Sequence, residues 1–315
     1  MSGGSPAASG PGGSAAPAPA SSVAGLGATL LASTMFSWGF VIVKYLPLEP
    51  ATLASYRLAI GASVYLLVAR LMKVPRPVGW GNVLGAGLFF GLHQLLYISA
   101  TQATSIAIVT LIGALQPLIV ALVSHRTVGE RPPPSLPLFA LLAASGVALV
   151  VWANADDPSR SLLGDALAVV NVAAYTGYFL MSKRARAEGT HTLTLTTAAM
   201  GGALLVVAPA LVFSTQRVPG EGLEWGLVAL LALGPGSGHL LVNWAHRRAS
   251  AALTSLVLTA VPLLASVWAH LVFDEPYGWP HMVGIALVAL AVEGGRRAEL
   301  TRLRRAIPSP DASAE

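Results

Sequence analysis

The chain contains no cysteine. A disulfide framework, a thiolate nucleophile and a thiolate metal site are all excluded. Charge is nearly as scarce. Asp, Glu, Lys and Arg make up 10% of the 315 residues, where a soluble domain carries about 25%. Among the 19 basic residues the only lysines are Lys44, Lys73 and Lys183; the arginine bias, with the excess of Ala and Gly, points to a GC-rich bacterial genome. No Asp or Glu falls at the middle of an apolar run, which weakens any mechanism that needs a buried carboxylate to carry a proton or sodium ion. Also missing are an HExxH motif, a Ser-centred nucleophile elbow, paired catalytic carboxylates and a nucleotide-binding P-loop.

What is abundant is apolar sequence, at 54% of residues. A chain this long and this poor in charge cannot cover a water-facing surface, so the bilayer has to be its solvent. A membrane helix needs about 20 apolar residues to cross a hydrocarbon core roughly 30 Å thick. Ten stretches suit that length: 23–44, 51–69, 80–101, 103–125, 137–154, 162–182, 192–214, 223–245, 250–272 and 279–295. They do not alternate polar with apolar as the roughly ten-residue strands of a membrane barrel do. The expected fold is an all-α membrane protein of ten transmembrane helices. Residues 1–22 are almost all Gly, Ser, Ala and Pro, carry no charge and lack the basic start of a signal peptide; they read as a disordered tail. Residues 298–315 read as a second, basic to polar tail.

If the N-terminus is cytoplasmic, the inner loops and C-terminal tail hold 15 of the basic residues and the outer loops hold Lys44, Arg160 and Arg217, with Arg57 inside the second helix. That asymmetry supports both termini inside the cell, in the inner (plasma) membrane of a bacterium. It also accounts for the net charge of +5 without a nucleic-acid partner.

The chain matches itself. At a shift of 145 residues, Leu95, Leu96, Ala100, Ser105, Ala107, Leu111, Pro117, Leu118, His125 and Glu130 meet Leu240, Leu241, Ala245, Ser250, Ala252, Leu256, Pro262, Leu263, His270 and Glu275. At a shift of 139, Phe36, Phe40 and Lys44 meet Tyr175, Phe179 and Lys183. Leu and Ala matches are cheap in such a composition; the matched Pro, His and Glu are not. The halves are 23–154 and 155–297, each of five helices. Five is odd, so the second half enters the membrane from the opposite side, giving two inverted five-helix repeats, a recurring plan of secondary transporters.

Each half ends on a helix with a mid-helix proline, followed thirteen residues later by Glu: Pro117 to Glu130 in QPLIVALVSHRTVGERP, and Pro262 to Glu275 in VPLLASVWAHLVFDEP. The first helix carries FSWGFVIVK and its counterpart YTGYFLMSK. Over residues 23–297 this pattern resembles the EamA-type permeases of the drug/metabolite transporter superfamily. The second half departs from the first in having Asp274 where Gly129 stands and in lacking Trp-Gly in its first helix. The resemblance implies ten helices in duplicated halves, a central cavity and export of metabolites or drugs.

Candidate binding residues are the polar and aromatic groups that helices would carry into the membrane. Arg57 lies about six residues into the second helix, roughly 9 Å from its outer end; it could meet an anionic group of a solute, pair with a freed carbonyl or snorkel to the interface. His93 and Gln94, Gln116, Asn171 and Tyr175, and His239 and Asn243 need partners in hydrocarbon and should face the bundle interior, lining a cavity or joining helices. The histidines could also exchange protons. Trp38 and Tyr97 are candidate walls for an aromatic solute, whereas Trp268 reads as an interface anchor. Pro117 and Pro262 remove a helix hydrogen bond each and read as gate kinks or static ones. Glu130 and Glu275, at opposite ends, read as latches, caps or solvated carboxylates.

The expected function is a secondary transporter that exports a small metabolite, amino acid or drug-like solute by alternating access. An intramembrane enzyme and a sensory or structural membrane protein are the other readings. No cofactor or metal is expected. The partners are a small-molecule solute and the lipid bilayer, with a homodimer left open.

Overall fold

The computed structural model describes residues 19–153, 161–216, 218–220, 222–273 and 278–305. Among these the regular structure is helical throughout. The first half comprises α1 (Pro19–Tyr45), α2 (Pro50–Leu71), α3 (Trp80–Ala103), α4 (Ile106–Gly113), α5 (Gln116–Val128) and α6 (Leu136–Ala153). The second comprises α7 (Leu162–Ala187), α8 (Thr192–Val207) with a 3-10 turn over Ala208–Phe213, α9 (Gly222–Leu233), α10 (Pro235–Ala245), α11 (Ala251–Val257), α12 (Ala260–Phe273) and α13 (Trp279–Arg305).

The surface is apolar and the interior partly polar. Leu122, Leu162, Leu205 and Phe213 are almost wholly exposed, while Arg57, His93, Gln94 and Asn243 are buried. Water would penalise that exposure, whereas lipid tails cover it at no cost. Among the described residues seven stretches are long and apolar enough to cross a membrane: Val23–Tyr45, Pro50–Leu71, Trp80–Ala103, Leu162–Ala187, Thr192–Phe213, Gly222–Ala245 and Ala251–Val272. This is a multi-pass membrane protein. Length and hydropathy by themselves pick out seven of the ten expected spans among the described residues. The span expected at 103–125 is divided between α4 and α5, the apolar part of α6 is the shorter Leu136–Leu149, and α13 runs on past the expected 295 into charged sequence. That extension also makes residues 298–305 helical rather than an irregular tail, with Arg302 paired to Glu299 at 3.0 Å. At the other end, α1 begins at Pro19, inside the stretch expected to be a tail.

Three of the expected helices are interrupted. Between α4 and α5 the chain makes a turn at residues 114–115, and Pro117, second in α5, has no N–H to bridge it. Between α11 and α12 residues 258–259 do the same ahead of Pro262. The two breaks fall within one residue of each other at the 145-residue shift. A third break, at Gly234 and Pro235 between α9 and α10, falls where a continuous 223–245 helix was expected. Matched serines start the matched helices: Ser105 Oγ accepts from Ile108 N at 3.3 Å and Ser250 Oγ from Leu253 N at 3.2 Å.

The halves interleave. α3 packs on α7 and α8, α1 on α10 and α12, α2 on α8, and α6 on α13. Glycine permits the closest crossing. A Cβ on Gly87 of α3 would lie 3.1 Å from the Gly202 Cα of α8, and one on Gly91 only 2.7 Å from the Val206 Cβ. Small residues of this kind let membrane helices gain dispersion contact where no hydrophobic driving force exists.

Candidate functional site

Helix periodicity collects the site. Phe36 and Phe40 on α1, His93 and Tyr97 on α3, Asn171 and Tyr175 on α7, and Pro235 and His239 on α10 are four-residue pairs, each on one helix face. All eight line one cavity, with Arg57 of α2, Gln94, Thr110, Gln116, Ser255, Thr259 and Pro262. It offers about 110 Å³ of room for the centres of water molecules, against roughly 10–15 Å³ for one water. Both halves contribute, and so do all three helix breaks.

The walls are mutually packed rings. His93 lies 4.6 Å from Tyr175, Phe36 lies 4.6 Å from His239, and Phe40 meets Tyr97 edge-on at 5.0 Å. His93 Nδ1 is 2.7 Å from Asn171 Oδ1; Nδ1 therefore carries the proton and donates, and Nε2 is left as an acceptor. Arg57 turns inward rather than snorkelling: it is 5% exposed and lines the cavity. Among the described residues no carboxylate lines the cavity beside it.

Of the residues picked out from the sequence, Arg57, His93, Gln94, Tyr97, Gln116, Asn171, Tyr175 and His239 thus come together. Trp38 and Asn243 do not reach the lining. Trp38 is 38% exposed and stacks on Trp268 at 4.5 Å, and Trp268 Nε1 donates to Ser37 Oγ at 2.8 Å. Asn243 joins helices instead: its Nδ2 donates to the Tyr178 hydroxyl at 3.1 Å and to Thr196 Oγ1 at 3.0 Å, and its carbonyl accepts from Arg186 Nε. Pro262 lines the cavity, while Pro117 is buried one residue behind Gln116. Glu275 lies outside the described residues.

Two stretches of the sequence, residues 23–152 and 162–293, match the EamA-like transporter family. The chain belongs to that family. Protein PecM of Dickeya dadantii (strain 3937) is 28% identical over 268 residues, covering 81% of this chain and 87% of PecM. A protein solved by crystallography shares the fold, with a TM-score of 0.70 at 22% identity, over 90% of this chain and 99% of the other. This EamA-type permease has its two family repeats on either side of the cavity, and membership favours a transporter over an enzyme.

The repeats of the permease also match in how lysine closes each helix pair. Lys44 at the end of α1 donates to the carbonyls of Thr104 at 2.9 Å and Thr101 at 3.4 Å. Lys183 on α7 donates to the carbonyls of Ala249 at 2.6 Å and His246. Residues 101 and 104 are 246 and 249 at the 145-residue shift. Lys183 Nζ also meets Glu130 Oε1 at 2.9 Å, and Glu130 Oε2 accepts from Ala251 N at 2.7 Å. One carboxylate thereby ties α5 to α7 and caps α11. A second clasp closes the loop before α2. Glu49 accepts from the Thr215 hydroxyl, from Thr215 N at 3.1 Å and from Gln216 N at 3.3 Å. Those bonds, the Thr215 hydroxyl first, hold the Glu49 carboxyl below its ordinary range.

The lining hydroxyls Thr110, Ser255 and Thr259 were not singled out from the sequence. A signal existed: Thr110 and Ser255 coincide at the 145-residue shift, each a few residues before a matched break.

Proposed function

We propose that this permease is a secondary transporter that exports a small organic solute by alternating access, with ten crossings in two inverted repeats of five. The three additional crossings are the α4–α5 pair, α6 and α13, each too short or too polar by composition alone yet packed within the bundle. The observation that carries the reading is the cavity. It lies between helices of both repeats, and three interrupted helices end on it. A helix broken at Pro117 or Pro262 can bend without first losing a backbone bond, because proline has already removed it. Two arrangements of one fold entered from opposite sides have similar energies, as alternation requires.

The basic-loop asymmetry supports termini on the cytoplasmic side of a bacterial inner membrane. In that orientation the Glu130–Lys183 clasp closes the inner end and Lys44 holds the outer end. Proteoliposomes loaded with one solute and presented with a labelled panel test the reading. Saturable counterflow of at least one member is the expected result. Absence of saturable flux across a broad panel, with folded protein in the membrane, would overturn it.

A further inference from the structure

We propose that the cavity selects a compact organic monoanion, its carboxylate-type head on Arg57 and its flat, unsaturated body between the ring walls. The proposal rests on the transport reading for how the solute arrives, but the selectivity follows from the cavity's own chemistry.

Arg57 carries the argument. It sits within the span Pro50–Leu71, is buried, lines the cavity, and has neither a hydrogen bond nor an ion pair to any described residue. A guanidinium in the membrane interior without a counter-charge is expensive and persists where it has a purpose. Its five N–H donors form a planar fork that matches a carboxylate bidentately. Tyr97, His93 and His239 line the same cavity as Arg57, so an anion bound there lies against the rings.

Unpaired donors outnumber unpaired acceptors in the lining. The Gln94 and Gln116 amide nitrogens and the Tyr175 hydroxyl are buried without a hydrogen bond to any described residue, against Gln94 Oε1 and His239 Nδ1 in the same condition. The lining hydroxyls have already given their protons to their own helices: Thr110 to the carbonyl of Ile106 at 2.9 Å, Ser255 to that of Ala252 at 2.8 Å, Thr259 to that of Leu256 at 2.6 Å. Unused donors call for an acceptor-rich ligand. Three helix N-termini converge as well. Gln116 opens α5, Pro235 opens α10, and Pro262 lies in the first turn of α12, and all three line the cavity. The partial positive charge at a helix N-terminus favours an anion; the C-terminal ends of α4 and α11 border the cavity too, at Gly113 and Leu258, so the sign of the site rests on Arg57. With no described carboxylate in the lining, the ammonium of an amino acid has no counter-ion here. That separates a monoanion from a zwitterion.

The test uses purified full-length protein in nanodiscs and four probes of similar shape: benzoate, benzamide, benzylamine and phenylalanine. Binding is read by titration calorimetry and by shift of the unfolding temperature. Benzoate should bind and stabilise at millimolar concentration, with the other three weaker. Arg57→Gln should weaken benzoate roughly 10–100-fold, the loss expected for a hydrogen-bonded charge partner, and leave benzamide unchanged. Arg57→Lys should retain part of the affinity, as a point charge without the fork. Benzylamine or phenylalanine binding as tightly as benzoate, no benzoate binding, or equal benzoate affinity in Arg57→Gln would each overturn the proposal. If neither variant folds, the four-probe comparison on the unaltered protein decides by itself. Counterflow of labelled benzoate separates the two readings. Binding that depends on Arg57, with no saturable flux of benzoate or of any member of the broad solute panel, leaves the anion site standing and sinks transport. Saturable flux of a cation or zwitterion, insensitive to Arg57→Gln, sinks the anion site and leaves transport standing.

Discussion

Some buried polar side chains in this molecule are partnered by the protein and others line the cavity without a partner, and the two kinds should respond differently to removal. Asn243 is the first kind. Asn243→Leu strips a partner from Tyr178 and Thr196 and should cost about 1–2 kcal/mol of stability, the range for an interhelical membrane hydrogen bond, while leaving solute affinity intact. Gln94 is the second kind, with both ends of its amide unpaired. Gln94→Leu should leave thermal stability unchanged or raise it, since no bond is broken and a polar group is withdrawn from an apolar setting, and should lower solute affinity. Paired melting curves and binding isotherms check both. Glu49 adds a pH dependence at the same scale. Its carboxyl is held below the ordinary value by the folded state, so its contribution is present above the unfolded pKa of about 4.3 and disappears as pH falls through the lower folded value. Glu49→Gln should therefore lower the unfolding temperature at neutral pH, and the gap to the native protein should close on acidification.

At the scale of elements, the broken helices and the bare crossings matter most. Restoring the missing backbone donor with Pro262→Ala should straighten the α11–α12 junction, stabilise the protein modestly and slow counterflow, because bending would then break a bond that proline leaves absent. Equal flux in the variant would remove the kink from the transport cycle. Gly91→Ala places a Cβ 2.7 Å from Val206 and 2.9 Å from the Ala203 carbonyl, which are not flexible chain ends. It should destabilise by about 1–3 kcal/mol through forced separation of α3 and α8, measurable as a lower unfolding temperature.

Much of this element plan was legible in the sequence. Pro117 and Pro262 mark two of the breaks because proline acts locally, and the Pro, His and Glu matches made the repeat visible against a background of cheap Leu and Ala. The break at Pro235 was equally local, written in Gly-Pro-Gly, and was absorbed into a long apolar run. The site was harder because depth along a helix can be read from sequence, while rotation about it depends on the neighbours. Trp38 illustrates this: it is deep, but two residues from Phe36 is about 200° around the helix, so when Phe36 faces the cavity Trp38 cannot. Asn243 shows the complementary limit. It shares a helix face with His239 but lies one turn further along, where α7 and α8 close in and supply its partners.

On the scale of the whole molecule, the halves are held together by contacts that cross between repeats, so opening has to be a relative movement of helices rather than a local loop event. The Glu130–Lys183 clasp is the clearest single restraint on that movement. Glu130→Gln removes the ion pair and weakens the cap on α11, and it should raise accessibility at that end of the bundle, the cytoplasmic one in the proposed orientation. A single cysteine introduced beside Glu130 into this cysteine-free chain reports it, with faster labelling by a membrane-impermeant thiol reagent expected in inside-out vesicles when Gln replaces Glu130. An unchanged labelling rate would make the clasp a static strut.

The contact of Gly87 with Gly202 has a mechanical consequence. Interdigitated side chains lock two helices in register, since sliding demands that every knob climb out of its hole. Here two backbones meet with nothing projecting between them, on helices from different repeats. At that one crossing α3 and α8 meet no knob that resists sliding, and a bulky side chain at position 87 would wedge them apart.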